Sequence, residues 1–191
     1  PRFIGEFQKG IDYIGDVAQF REACRLHALI ARCMGGYKLS IHSGSDKFSI
    51  FPIVGELTRG LLHEKTAGTS YLEAVRVIAR RDPALYRDIH AFALERFETD
   101  RASYHVTTNL DNIPPLDSLS DGQLPALMDE IDPRQLMHIT YGSILTAKDD
   151  SGAFRFYDRL VSVLEAHEEE HYETVAAHFV KHCQALGLDR A

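Results

Sequence analysis

The chain has 191 residues, a mass of 21.5 kDa and a formal net charge of −7, which limits it to one or at most two domains. Its 45% hydrophobic and 26% charged residues exclude a disordered chain, and its acidic balance argues against a nucleic-acid binder, because neutralising phosphates requires a basic surface. No apolar run approaches the roughly 20 residues of a membrane helix, so we expect no membrane partner. Three cysteines, an odd number, favour a reducing cytoplasmic setting over a disulfide scaffold.

The hydrophobic pattern predicts strands alternating with helices. Strands are expected over 3–8, 37–42, 61–65 and 102–108, with a last strand or strand-to-helix corner over 136–142. Helices are expected from the capping residue Asp16 to Met34, then over 48–59, 71–81, 82–98, 153–166 and 168–186. Such alternation is typical of parallel strands with crossover helices, so the predicted class is α/β.

Two architectures fit that order: an open doubly wound sheet and a (β/α)8 barrel. No Gly-x-Gly-x-x-Gly follows a strand, which weakens a dinucleotide-binding sheet. A barrel needs eight strands and this chain supplies about four, and its first residues already read as a strand. We therefore expect one domain over residues 1–191 that is a piece of a longer chain.

The most informative motif is the polar segment 42–47, which interrupts two apolar segments. His42 ends a predicted strand and could direct a ring nitrogen at a metal or a substrate. Ser43, Ser45, Asp46 and Lys47 offer groups for hydroxyls or a carboxylate. The alternative is a tight strand-to-helix turn in which Asp46 caps the next helix.

Two further strand ends carry polar residues. His63 and Lys65 share one face of a strand, so one could bind a metal and the other an anion, and Thr66 precedes a predicted helix start that favours a carboxylate. The alternative is a solvated edge followed by an ordinary loop. Lys9 and Asp12, near the first strand end, could act as acid and base or bind a polyol.

The segment His167–His171 matches H-E-x-x-H, the helix of zinc metalloproteases. Its intervening positions are glutamates, and Glu165 and Glu173 flank it. We interpret it as a solvated acidic helix face to which His178 and His182 add further polarity, and we consider a protease much the less favoured function.

Three segments together resemble the tagaturonate epimerase family. They are residues 7–16, residues 39–50 with the Ser-Gly-Ser-Asp-Lys motif, and residues 63–69. The segments 138–142 and 170–173 are similar to its C-terminal part, so the resemblance runs along the whole chain in order. Gln8 stands where the family has Asn.

The resemblance implies a TIM-like (β/α)8 barrel of which this chain is the C-terminal half with C-terminal helices. It implies interconversion of the sugar acids D-tagaturonate and D-fructuronate with a divalent cation (Zn, Mn, Ni or Co). Family members are more than twice this long, so part of the metal and acid–base set would lie upstream. We accordingly expect a homo-oligomer or a missing N-terminal half to complete the protein.

The epimerisation that the resemblance implies would require a metal ion, a proton-transfer group and a carboxylate-binding group in the site. The two ketoses differ at the carbon β to the ketone, and retro-aldol cleavage, rotation of the aldehyde and re-addition can invert that centre. The hypothesis assigns metal binding to His42, His63 and Gln8, proton transfer to Lys9 and Asp12, and carboxylate binding to Lys65 and Thr66. Ser43, Ser45, Asp46 and Lys47 would bind the polyhydroxylated acid. The alternative is a non-catalytic domain that binds sugar acids, or a fragment that only completes a barrel.

Overall fold

The computed structural model describes residues 3–41 and 46–188, which form a mostly helical protein with one small sheet. The sheet has two strands, β1 (Leu39–Ile41) and β2 (Leu62–Glu64). The α-helices of this described part are α1 (Val17–Cys33), α2 (Phe51–Thr58), α3 (Ala67–Arg81), α4 (Pro83–Asp100), α5 (Ile131–Thr146), α6 (Tyr157–Ala166) and α7 (Glu168–Ala185). Short 3₁₀ segments at Arg101–Ser103, Leu110–Asn112, Leu116–Ser118 and Asp121–Asp129 lie between α4 and α5.

The chain divides into two compact units. One comprises Pro1–Ala67 with Ala177–Ala191, and the other Gly68–Ala176. Each unit has its own hydrophobic core, the first around Phe20, Ile41 and Phe51 and the second around Tyr86 and Leu136. The expectation of a single domain over residues 1–191 stays a prediction.

The first unit is built on the parallel pair of strands. β1 and β2 pair in the register Ile41↔Glu64, and α2 lies between them in the sequence, as a parallel crossover requires. Asp16 caps α1 as expected, accepting the backbone N–H groups of Ala18 and Gln19. Both strands therefore end at the same edge of the sheet.

A close backbone approach joins α2 to Leu186, the residue that follows α7, in this unit. A Cβ on Gly55 would lie 2.0 Å from the carbonyl oxygen of Leu186, far inside van der Waals contact. Only glycine therefore lets the C-terminal end of α7 pack on α2 at this distance.

The second unit shows why part of the strand prediction is wrong. Residues 136–142 lie inside α5, and residues 102–108 contain the end of a 3₁₀ turn followed by irregular chain. Every residue of α5 from Pro133 to Thr140 is buried. A helix buried on all sides has no amphipathic period, so its apolar run resembles a strand.

Two smaller boundaries also differ from prediction. The segment 3–8 forms only a bridge between Glu6 and Ile14 instead of a strand. α3 begins at Ala67, four residues before the predicted Tyr71. Glu73 therefore lies inside the helix, where it binds Arg76 at 2.8 Å.

None of the helices in the described ranges combines the length and apolar character that membrane crossing requires.

Candidate metal centre

Three buried side chains of the first unit converge on one point. The Nε2 atoms of His178 and His182 lie 3.2 and 3.0 Å from Oδ1 of Asp46 and 3.1 Å from each other. All three residues are buried. Two imidazoles and one carboxylate thus form a compact set of ligand atoms that could hold a metal ion.

Local structure explains why these three residues meet. His178 and His182 are four residues apart on α7, so they lie on one face of the helix, one turn apart. Asp46 comes after β1, at the edge where both strands end, and α2 begins only at Phe51 with Ile50 as its N-cap. Asp46 therefore does not cap the next helix, and the capping alternative for this residue is wrong.

Glu64, at the end of β2, completes the surroundings of His182. Its Oε1 lies 2.5 Å from Nδ1 of His182, on the ring nitrogen opposite to the one that faces Asp46. Burial alone would lower the pKa of His182, but the hydrogen bonds and the negative charges of Asp46 and Glu64 outweigh it and raise the pKa to about 9. In the absence of a cation, a proton on each ring nitrogen links His182 to both carboxylates.

The spacing of the ligand atoms fits a divalent cation. A metal–nitrogen bond of about 2.1 Å sets neighbouring ligand atoms about 3.0 Å apart at an octahedral corner and about 3.4 Å apart in a tetrahedron. The observed separations of 3.0, 3.1 and 3.2 Å fall in that range. A cation bound by Nε2 of His182 would take the place of the Nε2 proton, while Glu64 keeps the Nδ1 proton.

The interpretation of His178 and His182 as part of a solvated helix face is wrong. His178 is 5% and His182 is 3% exposed. The spacing His-x-x-x-His places both imidazoles on one helix face, which is a pattern of metal ligands. The glutamates that precede it in the sequence favour a solvated face instead. The H-E-x-x-H match fails for a separate reason: His167 lies between α6 and α7, so the motif is not one continuous helix.

Of the three predicted metal ligands, Gln8 and His63 lie within the described residues. His42, like Ser43 and Ser45, lies outside the described residues. His63 is exposed, and its Nδ1 lies 3.0 Å from Oγ of Ser40. Gln8 is buried, and its Nε2 donates to Glu6 at 2.6 Å. These ligand assignments stay predictions.

Lys47 and Asp12 tie the segment after β1 to the loop 8–12. Lys47 is fully buried, and its ammonium donates to the carbonyl oxygen of Gln8 at 2.8 Å and to that of Ile11. The Asp12 carboxylate accepts the backbone N–H and the hydroxyl of Ser49, the latter at 2.9 Å. Lys47, predicted to bind the substrate, and Asp12, predicted to transfer a proton, thus also fix the loop that carries Lys9.

Lys9 and Lys65 form a cationic pair in the same unit. Burial lowers the pKa of Lys9, and the positive charge of Lys65 lowers it further. Lys65 is exposed and Thr66 partly buried, at the end of β2. Two ammonium groups that sense each other's charge are suited to an anion such as a carboxylate.

Comparison with known proteins places the chain in a family. The family model described as tagaturonate epimerase matches residues 1–186. A relative named tagaturonate/fructuronate epimerase, from Thermotoga maritima, is 51% identical over 185 residues, which cover 97% of this chain and 37% of that protein.

The fold agrees with solved structures of similar proteins. A native and a glycerol-complexed crystal structure of the fructuronate-tagaturonate epimerase UxaE from Cohnella laeviribosi each match with 57% identity and a TM-score of 0.94. Each match covers 98% of this chain and 38% of the other, so the chain spans a little over a third of the length of these relatives. The chain belongs to the tagaturonate epimerase family.

Proposed function

We propose that this chain is part of a metal-dependent epimerase that interconverts D-tagaturonate and D-fructuronate. The family and the names of the relatives support the reaction. The convergence of Asp46, His178 and His182 carries the metal dependence, because two imidazole nitrogens and a carboxylate oxygen face one point in a buried site. This triad, in place of His42, His63 and Gln8, is the set to which we assign the cation.

The reaction we propose is retro-aldol cleavage followed by re-addition. The hydroxyl on the carbon β to the ketone loses its proton, the bond between the α and β carbons breaks, and the β carbon becomes an aldehyde. The electron pair of that bond passes into an enediolate on the other fragment. Rotation of the aldehyde and the reverse steps return the bond with inverted configuration and restore the proton. A divalent cation would supply Lewis-acid stabilisation of negative charge on oxygen.

The residues of this chain would bind the sugar acid and move its proton. Lys9 has a lowered pKa, which brings an amine closer to the range where it can accept and return a proton near neutral pH. Lys65 and Thr66 would bind the uronate carboxylate at the end of β2. Asp12 would act on Lys9 indirectly, because its bonds to Ser49 hold the loop in place.

We also propose that β1, α2 and β2 form one strand–helix–strand unit of a (β/α)8 barrel. The parallel pairing and the grouping of Asp46 and Lys65 after the strand ends support this architecture, in which sites form at the C-terminal ends of strands. The remaining strands would come from further residues of a longer protein or from a second copy. The three free cysteines fit a cytoplasmic setting.

The decisive experiment measures metal content and epimerisation together in the full-length protein. We expect Asp46→Asn and His178→Ala to lose bound divalent metal and to slow tagaturonate–fructuronate interconversion by about 10²-fold or more. His171→Ala is the matched control, since His171 lies on α7 two turns before His178 and outside the triad. Wild-type metal content and turnover in both triad variants would refute the assignment. Sugar-acid binding without interconversion by the wild type would instead favour a non-catalytic binding domain.

A further inference from the structure

Glu64 stands behind His182, on the far side of the imidazole ring from Asp46 and His178. Its Oε1 lies 2.5 Å from Nδ1 of His182, and the two side chains are 11% and 3% exposed. We propose that Glu64 is a positioning residue of the metal centre, which selects the ring tautomer that turns the Nε2 lone pair of His182 toward the cation. This inference rests on the proposed function, because it presupposes a cation at the triad.

The tautomer matters because a neutral imidazole carries only one ring proton. With the proton on Nδ1, His182 donates to Glu64 and its Nε2 is free to bind a cation. With the proton on Nε2, that nitrogen cannot bind a cation, and the bare Nδ1 would face a carboxylate oxygen at 2.5 Å. Two acceptors at that distance repel, so Glu64 disfavours the second tautomer.

Packing fixes the plane of the ring but not the position of its proton. The ring centroids of Phe48 and Phe51 lie 4.9 and 5.3 Å from that of His182, at interplanar angles of 71° and 47°. Phenyl rings accept no strong hydrogen bond and therefore do not distinguish Nδ1–H from Nε2–H. Within the described ranges, two carboxylates do distinguish them: Glu64 at Nδ1 and Asp46 at Nε2. Asp46 belongs to the triad, so when a cation occupies Nε2 the hydrogen bond that orients the ring is the one to Glu64.

The backbone holds Glu64 where this task requires it. Glu64 is the last residue of β2 and pairs with Ile41 of β1, and the next backbone N–H, that of Lys65, donates to the Ile41 carbonyl. The Glu64 side chain is therefore attached to a hydrogen-bonded strand and not to a loop. A partner fixed in this way loses little entropy when it orients a ligand.

The test compares the Co²⁺ affinity of the full chain, followed by its visible absorption, in three variants. We expect Glu64→Ala to weaken Co²⁺ binding by about 10- to 100-fold, the usual effect of losing a hydrogen-bond partner behind a metal ligand. Glu64→Gln should recover most of the affinity, because its carbonyl oxygen still accepts from Nδ1–H. Glu56→Ala is the matched control: Glu56 lies in the same unit, is exposed and pairs with Arg21.

A tautomer measurement separates positioning from a merely structural role. In the Zn²⁺-loaded protein, ¹H–¹⁵N spectra of the histidine rings should show the Nδ1 proton of His182 shifted downfield by its short hydrogen bond to Glu64, and Glu64→Ala should lose that downfield shift while the fold is retained. Wild-type Co²⁺ affinity in Glu64→Ala, or equal losses in Glu64→Ala and Glu64→Gln, would overturn the inference. If Asp46→Asn also binds Co²⁺ as the wild type does, the metal centre itself is refuted; if only Asp46→Asn loses binding, the inference about Glu64 alone fails.

Discussion

Arg159 binds the carboxylate that caps the N-terminus of α4. Its Nε and Nη2 donate to the two oxygens of Asp82 at 2.8 and 2.7 Å, while Oδ1 of Asp82 also accepts the backbone N–H of Leu85 at 3.0 Å. One carboxylate therefore serves both as a helix cap and as an ion-pair partner. Since the Arg159 side chain is 49% exposed, the cap is the stronger of the two contributions.

We expect Asp82→Ala to lower the free energy of unfolding by about 1–2 kcal/mol, since it removes both the cap and the ion pair. Asp82→Asn keeps an oxygen for Leu85 N–H and should lose no more than about 1 kcal/mol. Urea unfolding of the two variants beside the wild type measures the difference. Equal losses would mean that the ion pair, and not the cap, stabilises α4.

The imidazole of His90 gives the second unit a sensitivity to acid. His90 is 1% exposed, and neither ring nitrogen has a hydrogen-bond partner within the described residues. Burial lowers the pKa of His90 to about 4. As the pH falls below about 6.5, the unfolded chain takes up this proton first, so stability is complete above that pH and declines as the pH approaches 4.

We expect His90→Phe to remove this contribution. By linkage, neutral His90 makes the wild type less stable by about 2 kcal/mol at pH 5 than at pH 7, and the variant should lack that part of the decline. Urea unfolding at the two pH values, for wild type and variant, provides the measurement. An unchanged difference between pH 5 and pH 7 in His90→Phe would contradict the prediction.

Gly55 is expected to tolerate no side chain. A Cβ at this position meets the carbonyl of Leu186 at 2.0 Å, so Gly55→Ala must displace the last turn of α7 from α2. We expect a loss of about 2 kcal/mol or more in the free energy of unfolding, together with weaker Co²⁺ binding, because His182 lies one turn before Leu186.

Gly142→Ala is the matched control for that variant. Gly142 lies in α5, and an added Cβ would meet nothing within 4 Å. The same substitution should therefore raise stability by about 0.5–1 kcal/mol through helix propensity. If the two alanine variants changed stability in the same direction, backbone proximity at Gly55 would not be the cause.

Lys47 is expected to matter for stability as well as for the site. Lys47→Met removes the ammonium that donates to the carbonyls of Gln8 and Ile11, two buried residues of the loop 8–12. We expect a loss of about 3 kcal/mol in the free energy of unfolding. Lys38→Met, at an exposed position, should stay within about 0.5 kcal/mol of the wild type, and a similarly small effect of Lys47→Met would contradict the prediction.

The elements with a clear local signal could be predicted from sequence. Asp16 and the apolar face of α1 predict that helix to within a residue, and the two β-strands lie inside their predicted segments. α5 could not be identified in this way. Because it is buried at every position from Pro133 to Thr140, its apolar residues do not recur with the period of an amphipathic helix.

The residues of the candidate site also differ in whether a local sequence pattern indicates them. Asp46 belongs to an uninterrupted polar run between two apolar segments, and such a run indicates a candidate site from sequence alone. His178 and His182 lie in a segment rich in charged residues, where local pattern gives no indication of burial. His182 packs against Phe48 and Phe51, more than 120 positions away, and the sequence periodicity of α7 cannot indicate such a contact.

The three residues of the candidate metal centre span most of the polypeptide. Asp46 and His182 are 136 residues apart in sequence, yet 3.0 Å apart in space. Because closing so long a loop costs entropy before any contact repays it, the centre assembles only after α7 has been synthesised and has docked. On the ribosome, a cation that binds only the finished centre would therefore favour the completed chain by mass action over every nascent form. A chain cut before residue 178 would lack both imidazoles and with them any such bias.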